Sequence, residues 1–131
     1  MSLDPAALPA EAVAFLDERH LATLTTVRPD GSPHVAPVGF TWDATTGLVR
    51  IITFASARKV RNLTEGPTNR AAVCQVDGGR WLTFEGLASV TVDAQRVGEA
   101  VRRYAARYRT PGERADRVAI EITVDRILGR G

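Results

Sequence analysis

The residues that follow Thr53 are suited to binding a phosphate group. A strand-like run ends near Thr53, small residues follow, and the composition then predicts a helix that begins near Ser56 and carries Arg58 and Lys59. The N-terminus of a helix offers free N–H groups and the positive end of the helix dipole to an anion. We expect Ser56 to cap this helix, and Arg58 and Lys59 can reach back over its first turn. The segment predicts a phosphate clamp for a nucleotide-like cofactor, although a solvated helix start with ordinary surface charges has the same composition.

The rest of the sequence offers few groups that could carry a reaction. The two histidines, His20 and His34, have no carboxylate and nucleophile at a recognisable spacing. Cys74 is the only cysteine, so neither an internal disulfide nor a Cys/His metal cluster is expected. Asp77 and Glu85 could act as a carboxylate pair, but a turn residue and a strand charge are more often solvated. This set fits a protein whose bound cofactor carries the chemistry, so we predict no catalytic side chain and no metal site.

Composition limits the class of protein further. The chain has 131 residues, which predicts one domain over residues 1–131. The 17 basic and 15 acidic residues are interspersed and leave a formal charge of only +2, which disfavours a nucleic-acid partner. No apolar run is long enough to span a membrane, and the N-terminus lacks the pattern of a signal peptide, so we expect a cytoplasmic protein.

Hydrophobic periodicity and turn residues predict a mainly β protein with short helices. Turn signals such as Pro29-Asp-Gly separate the predicted elements. Six short, mostly antiparallel strands close most economically as a small barrel. The predicted helices are Pro9–Arg19, a segment from near Ser56 to about Glu65, and a segment capped by Asp93 that ends near Tyr108; the predicted strands are Leu21–Val27, His34–Phe40, Leu48–Thr53, Arg70–Val76, Trp81–Val92 and Val118–Leu128.

Pro37 lies in the middle of the second predicted strand. Proline cannot donate a ladder hydrogen bond, so this strand must lie at an edge, contain a bulge or face something other than a neighbouring strand. In a barrel, a strand that opens at this point is a natural place for a planar ligand to lie.

Five segments give the chain a resemblance to a known family. They are Phe15-Leu-Asp-Glu-Arg-His-Leu-Ala-Thr-Leu-Thr-Thr, Ser32-Pro-His-Val, Val38-Gly-Phe-Thr, Gln75-Val-Asp-Gly-Gly-Arg-Trp-Leu and Arg107-Tyr-Arg-Thr-Pro. In their order and spacing, these segments resemble the flavin/deazaflavin oxidoreductase superfamily, the split β-barrels related to pyridoxamine-phosphate oxidase. The last segment points to the subgroup of deazaflavin-dependent biliverdin reductases.

The resemblance implies a six-stranded antiparallel split β-barrel that forms a homodimer, with two cofactor sites at the subunit interface. The cofactor would be coenzyme F-420 or, alternatively, FMN. The resemblance assigns the cofactor-binding residues to three places: a phosphate-binding segment, a ring-facing strand with a nearby threonine, and a hairpin that closes over the cofactor, either from the same subunit or from the other. These are, in that order, Ser56, Ala57, Arg58 and Lys59; His34, Val35, Ala36 and Pro37 with Thr53; and Gly79, Arg80 and Trp81.

Three functions agree with this interpretation. The first is an F-420-dependent oxidoreductase that passes a hydride from the reduced deazaflavin to an unsaturated small molecule, with a linear tetrapyrrole such as biliverdin as the leading substrate. The second is an FMN-dependent oxidase or reductase on the same fold. The third is a non-catalytic protein that binds a flavin, a deazaflavin or haem. The clamp and hairpin residues favour cofactor binding in all three cases and do not separate them.

Overall fold

A computed structural model of the protein describes residues 2–130. These residues form eight strands and three helices, and none of the described helices is long and apolar enough to cross a membrane. The strands are β1 (Ser2–Leu3), β2 (Ala22–Val27), β3 (Pro33–Val38), β4 (Thr41–Asp43), β5 (Leu48–Phe54), β6 (Arg70–Asp77), β7 (Arg80–Thr91) and β8 (Arg117–Arg130); the helices are α1 (Ala10–Asp17), α2 (Arg58–Glu65) and α3 (Ala94–Arg107).

The predicted fold class is confirmed. All six predicted strands are present, with ends that differ by a few residues, and every neighbouring pair in the sheet is antiparallel. Two strands were not predicted, because β1 and β4 contain only two and three residues and are too short to show a period. The strand order is β3-β2-β6-β7-β8-β5-β4, with β1 paired to β8.

Strands β7 and β8 form the long central ladder and curve together. Their register shifts between Glu85 and Gly86, which marks a β-bulge. A Cβ atom on Gly86 would lie 2.1 Å from the carbonyl oxygen of Thr123, so only glycine permits this close approach. A bulge increases the local twist and bends its strand, which helps the sheet to curve into a barrel.

The hydrophobic core fills the inside of the curved sheet. Strand residues alternate between the core and the outside, so that β2 buries Ala22, Leu24 and Thr26. Helix α1 adds Phe15, which is completely buried, and the rings of Phe40 and Phe84 pack edge to face with centroids 5.5 Å apart. Burial of each such phenylalanine contributes about 1.5–3 kcal/mol, so these rings are principal contributors to stability.

Helix α3 is capped as the sequence predicts, and its C-terminal end holds the segment after β3 in place. The carboxylate of Asp93 accepts a hydrogen bond from the backbone N–H of Arg96 at 3.0 Å. At the other end, Arg107 donates to the carbonyl oxygen of Phe40 at 2.6 Å, and the Tyr108 hydroxyl donates to the carbonyl oxygen of His20 at 2.6 Å. The end of α3 therefore fixes the backbone around Phe40, where the candidate site begins.

Candidate functional site

Strands β3 and β4 are two parts of one extended segment that changes partner at residues 39–40. The first part pairs with β2, at one end of the sheet, and the second part pairs with β5, at the other end. The segment closes the barrel where β4 meets β5. Away from that point β3 and β5 separate, and a groove of about 270 Å³ lies between them. We call this separation of β3 and β5 the fork, and it is the split in the barrel.

The groove occupies the position in which the β4–β5 ladder would have continued. In the register that pairs Thr41 with Arg50, the pair of residues 40 and 51 would be followed by three further facing pairs, 39 and 52, 38 and 53, and 37 and 54. The groove lies at these three pairs. These six residues line the groove. The complete lining is Pro37, Val38, Gly39, Ile52, Thr53, Phe54, Lys59, Tyr104, Pro111, Arg114 and Arg117.

Two features explain why the ladder stops. Pro37 has no N–H to donate, and β3 is an edge strand, which is one of the three placements that this proline allows. The backbone N–H of Phe40 donates to the hydroxyl of Tyr108 at 3.2 Å, and its carbonyl oxygen binds Arg107, so side chains of the α3 end satisfy this residue. Beyond Arg50, the outer edge of β5 is left without a strand partner in the described chain, and its free backbone groups can bind the polar edge of a planar ligand.

Lys59 is the charged group at the α2 side of the groove. Its side chain is half-buried, and burial lowers its pKa below the ordinary value for a lysine. Among residues 2–130 it has no carboxylate within salt-bridge distance and no hydrogen-bond partner. A partly desolvated ammonium without a counter-ion is a favourable place for an anion, because the ammonium group has already lost part of its hydration on folding.

A histidine and two arginines extend this positive region. Burial lowers the pKa of His34, and the charges of Arg28, Lys59 and Arg58 lower it further. The Nδ1 atom of His34 is buried and has no hydrogen-bond partner in the described part of the chain. We refer to Arg28, Arg58 and Lys59 as the cation cluster. All three charges act on one imidazole whose buried Nδ1 has no hydrogen-bond partner among the described residues, and such a group of cations suits an anion.

Arg28 is the member of the cation cluster that the sequence interpretation missed. It follows β2 and precedes the turn to β3, and its guanidinium donates to the carbonyl oxygen of Pro33 at 2.6 Å. The hairpin pairs Thr26 with His34 and so brings Arg28 back beside that histidine. The turn Pro29-Asp-Gly was recognised as a hairpin signal, and the same signal could have located this arginine.

The prediction that Ser56 caps α2 is wrong. The helix begins at Arg58, and Ala57 holds the cap position with an extended ψ of 145° and no side-chain hydrogen bond. A turn in which the N–H of Ala57 donates to the carbonyl oxygen of Phe54 occupies the intervening residues and leaves Ser56 exposed. The first-turn N–H groups of Arg58 and Lys59 consequently have no cap, and they remain available to a bound anion.

Apart from Ser56 and Ala57, which precede α2 and do not line the groove, the predicted site residues fall into three groups. Pro37, Thr53 and Lys59 line the groove, and His34 and Arg58 adjoin it through the cation cluster. Within β3, Ala36 faces the barrel interior opposite Leu24, whereas Val35 points outward and is 58% exposed. The remaining group is the hairpin of Gly79, Arg80 and Trp81, and none of its residues lines the groove of its own chain.

The hairpin is bound to the end of α1 instead. Arg80 donates to Glu18 at 2.8 Å and to Asp77 at 2.7 Å, and its guanidinium lies 4.4 Å from the ring centroid of Phe15. Hydrogen bonds from Arg80 and His20 lower the pKa of Glu18 to about 2. Glu18, His20 and Asp77 are also close enough to share a metal ion, but Arg80 already supplies the positive charge between the two carboxylates.

A larger cavity, of about 680 Å³, lies between the N-terminal segment, α1, β4 and α3. It contains none of the residues predicted to bind the cofactor. Its arginines are already engaged: Arg103 binds Glu99 and Asp43, and Arg107 binds backbone carbonyl groups. The smaller groove, whose Lys59 has no carboxylate partner among the described residues, is therefore the candidate functional site.

The split barrel with a cationic groove agrees with comparison to known proteins. The chain belongs to the pyridoxamine 5'-phosphate oxidase family, whose sequence profile matches residues 8–131. It is also 50% identical over 119 residues to an F-420H(2)-dependent biliverdin reductase from Mycobacterium tuberculosis (strain CDC 1551 / Oshkosh), a match that covers 91% of this chain and 85% of that protein. The resemblance predicted from the sequence is thereby confirmed.

Solved structures agree with the same family. An F-420 reductase superposes with a TM-score of 0.70 at 26% identity, covering 92% of this chain and 98% of the other. The heme storage protein HutZ from Vibrio cholerae superposes with a TM-score of 0.73 at 20% identity, covering 100% of this chain and 96% of the other. The second likeness shows the fold alone.

Proposed function

We propose that this protein is an F-420-dependent oxidoreductase that passes a hydride from the reduced deazaflavin to an unsaturated acceptor. The observation that carries the proposal is the cation cluster beside the groove, where His34 Nδ1 has no partner and Lys59 has no counter-ion. The 50% identity to an F-420H(2)-dependent biliverdin reductase supports the choice of cofactor and reaction.

The residues of the groove fit such a coenzyme. Arg58, Lys59 and Arg28 would hold its phosphate, together with the uncapped N–H groups at the start of α2. The fork between β3 and β5 would receive the ring, with Pro37 and Thr53 as its walls. When bound, the reduced deazaflavin supplies a hydride, which adds to one carbon of the acceptor's double bond while solvent supplies the proton that completes the reduction. The side chains bind and orient the two molecules, and no catalytic residue or metal ion is required.

We take a linear tetrapyrrole of the biliverdin class as the acceptor. The support is the biliverdin reductase activity of the relative that shares half of its aligned residues with this chain. The likeness to a heme storage protein, at 20% identity, gives no corresponding support to a carrier function.

An FMN-dependent oxidase or reductase is the second candidate. The family profile is that of pyridoxamine 5'-phosphate oxidase, and a cation cluster would hold the phosphate of FMN as well as that of F-420. The two phosphates differ chemically, because that of FMN is a terminal monoester and that of F-420 is a diester that continues into a tail. Fluorescence titration with each of the two cofactors separates the two candidate functions.

The outward face of β3, β2, β6 and β7 supports a homodimer. Cross-strand pairs place Val35 beside Thr25, Thr23 beside Cys74, and Val76 beside Trp81 on this face, which we call the outer face. Within these four strands its only charged side chains are Arg70 and Glu85. A broad, nearly uncharged sheet surface is typical of contacts between subunits, and a second copy of the chain is the occupant we propose.

Such a dimer would give the hairpin of Gly79, Arg80 and Trp81 a role. Trp81 belongs to the outer face, and Pro37 belongs both to that face and to the groove. A partner that docks on the outer face would bring its own hairpin toward the groove of the first subunit. The hairpin would then close over the cofactor from the other subunit. We also propose that the protein is cytoplasmic, as predicted from the sequence.

The decisive experiment is a fluorescence titration of the purified protein with oxidised coenzyme F-420 and, separately, with FMN. Reduced coenzyme is then mixed with biliverdin, and reoxidation of the deazaflavin is recorded. Tight F-420 binding with coenzyme reoxidation that depends on biliverdin would support the first candidate. Tight FMN binding with weak F-420 binding would favour the second, and binding without turnover of any acceptor would favour a carrier.

A further inference from the structure

We infer that Arg114 and Arg117 form a carboxylate-binding pair that selects hydride acceptors with acidic side chains. The inference rests on the proposed function, because it concerns the acceptor in the same groove. Both arginines line the groove, and neither belongs to the segments that the resemblance assigned to the cofactor.

The two arginines come from the connection between α3 and β8. The guanidinium of Arg114 lies 4.2 Å from the ring centroid of Phe54, which is itself a groove residue, and its Nε binds Asp116 at 2.6 Å. Arg117 begins β8 directly opposite Phe54 in the ladder and donates to the carbonyl oxygen of Gly112. Stacking on the ring and bonding to the backbone hold both side chains at the rim, so a ligand would meet them already oriented.

The charge of the groove favours an acidic ligand. Its lining contains Lys59, Arg114 and Arg117 but no aspartate or glutamate. Asp116 offsets the charge of Arg114, and the charges of Lys59 and Arg117 keep the groove positive. If the phosphate of the coenzyme uses Lys59, both arginines remain for a second anion. A guanidinium presents a planar pair of donors that matches a carboxylate, which an ammonium does not.

Two molecules could supply the carboxylate: the acceptor, through acidic side chains such as those of a linear tetrapyrrole, or the coenzyme, through its glutamate tail. The tail is attached beyond the phosphate, on the side away from the ring. It would therefore continue past the cation cluster, whose Arg28 and Arg58 do not line the groove. The arginines do line it, at the end marked by Phe54, which lies across the groove from Pro37 in the proposed ring site. The carboxylate we assign is therefore that of the acceptor.

The test compares biliverdin with its dimethyl ester, which has the same ring system without the two negative charges. Absorbance titrations measure the Kd of each compound for the wild type, for the double variant Arg114→Gln/Arg117→Gln, and for Arg109→Gln. Arg109 is exposed on the same connection and does not line the groove, so it controls for the general loss of positive charge. Thermal unfolding of each variant confirms that it is folded, and Arg117→Lys tests whether charge without the planar donor pair suffices.

We expect the double variant to bind biliverdin at least about tenfold more weakly, the fold-change that corresponds to roughly 1.4 kcal/mol. Its affinity for the ester should equal that of the wild type, and its Kd for coenzyme F-420 should not change. In turnover, KM for biliverdin should rise while kcat stays within about twofold. Equal binding of acid and ester by the wild type, or binding of neither, would overturn the inference. Coenzyme binding weakened as much as biliverdin binding would assign the pair to the tail and overturn it as well.

The same measurements keep this inference separate from the proposed function. A wild type that prefers the acid over the ester but never oxidises the reduced coenzyme would refute the proposed reaction and support the arginine pair. A wild type that reduces acid and ester with equal kcat/KM would support the reaction and overturn the pair.

Discussion

Replacement of Lys59 by alanine tests the phosphate-binding part of the site most directly. The lysine is half-buried, has no carboxylate partner in the described chain and lines the groove. Its removal should therefore break no ion pair of the free protein, and it relieves the cost of keeping a partly buried ammonium charged. We expect Lys59→Ala to leave the protein folded and at least as stable as the wild type while weakening the binding of the coenzyme.

The size of the effect follows from the position of the charge. Two unit charges 4 Å apart attract by about 1 kcal/mol in water and by about 4 kcal/mol at the effective dielectric constant of a protein surface. Lys59 lies between these two environments, which agrees with the roughly 1.5–3 kcal/mol of a charged hydrogen bond. The variant should bind the coenzyme roughly 10- to 150-fold more weakly than the wild type. The exposed Arg58 should contribute less, and its contribution should fall more steeply with added salt.

The assay is a fluorescence titration with oxidised coenzyme F-420 at two salt concentrations. Arg61→Ala is the matched control, because Arg61 is an exposed cation on the same helix and its charge faces Glu65 at 3.9 Å. That control should bind nearly as well as the wild type. Unchanged affinity in Lys59→Ala would refute the phosphate-binding role, and equal losses in both variants would reduce it to a general attraction between opposite charges.

Three further outcomes are expected. The pKa of His34 is below its ordinary value, so the folded free protein favours the neutral ring and loses stability as the pH falls below about 6.5. A bound phosphate would instead favour the protonated ring, because the two charges attract. Coenzyme affinity should therefore rise as the pH falls from 8 to 6, and His34→Gln, titrated in parallel, should show a flat profile. Val35→Lys places a charge on the outer face, and sedimentation should show a shift from dimer to monomer, with Val92→Lys, at an exposed position outside β2, β3, β6 and β7, remaining dimeric; a monomeric wild type would contradict the proposed interface. Tyr108→Phe removes hydroxyl bonds to His20 and Phe40, and denaturant unfolding should show a loss of about 1–3 kcal/mol together with weaker coenzyme binding; full stability would mean that the hydroxyl does not hold the fork.

Local signals in the sequence were sufficient for most of the fold. Asp93 was recognised as a helix cap because its role depends on residues three positions away. Pro37 limited its strand to an edge, a bulge or an unpaired face because proline lacks the N–H, and the structure shows the edge. The two short strands could not be recognised. β4 is a strand only because Arg50 and its neighbours lie opposite, and three residues carry no period of their own.

The candidate site was less accessible from the sequence, since it depends on distances between separate elements. Arg28 joins the cation cluster through a hairpin, and Arg114 reaches the groove through a connection with no regular structure. The error at Ser56 had a local cause: a turn from Phe54 to Ala57 delays the helix, and the preference of serine for cap positions could not reveal it. The assignment of Gly79, Arg80 and Trp81 to a cofactor stays a prediction, because it depends on the proposed dimer.

The fork between β3 and β5 separates two kinds of sequence change. The core depends on the inward side chains of the strands. The opening depends instead on how far the β4–β5 ladder extends and on Arg107 and Tyr108, at the end of α3, which bind Phe40. Evolution could therefore lengthen or shorten the ladder to suit ligands of different width while the hydrophobic interior stays the same. A designer could use the same adjustment: replacing Pro37 and releasing Phe40 would let the ladder extend and narrow the binding site, and no core residue would need to change.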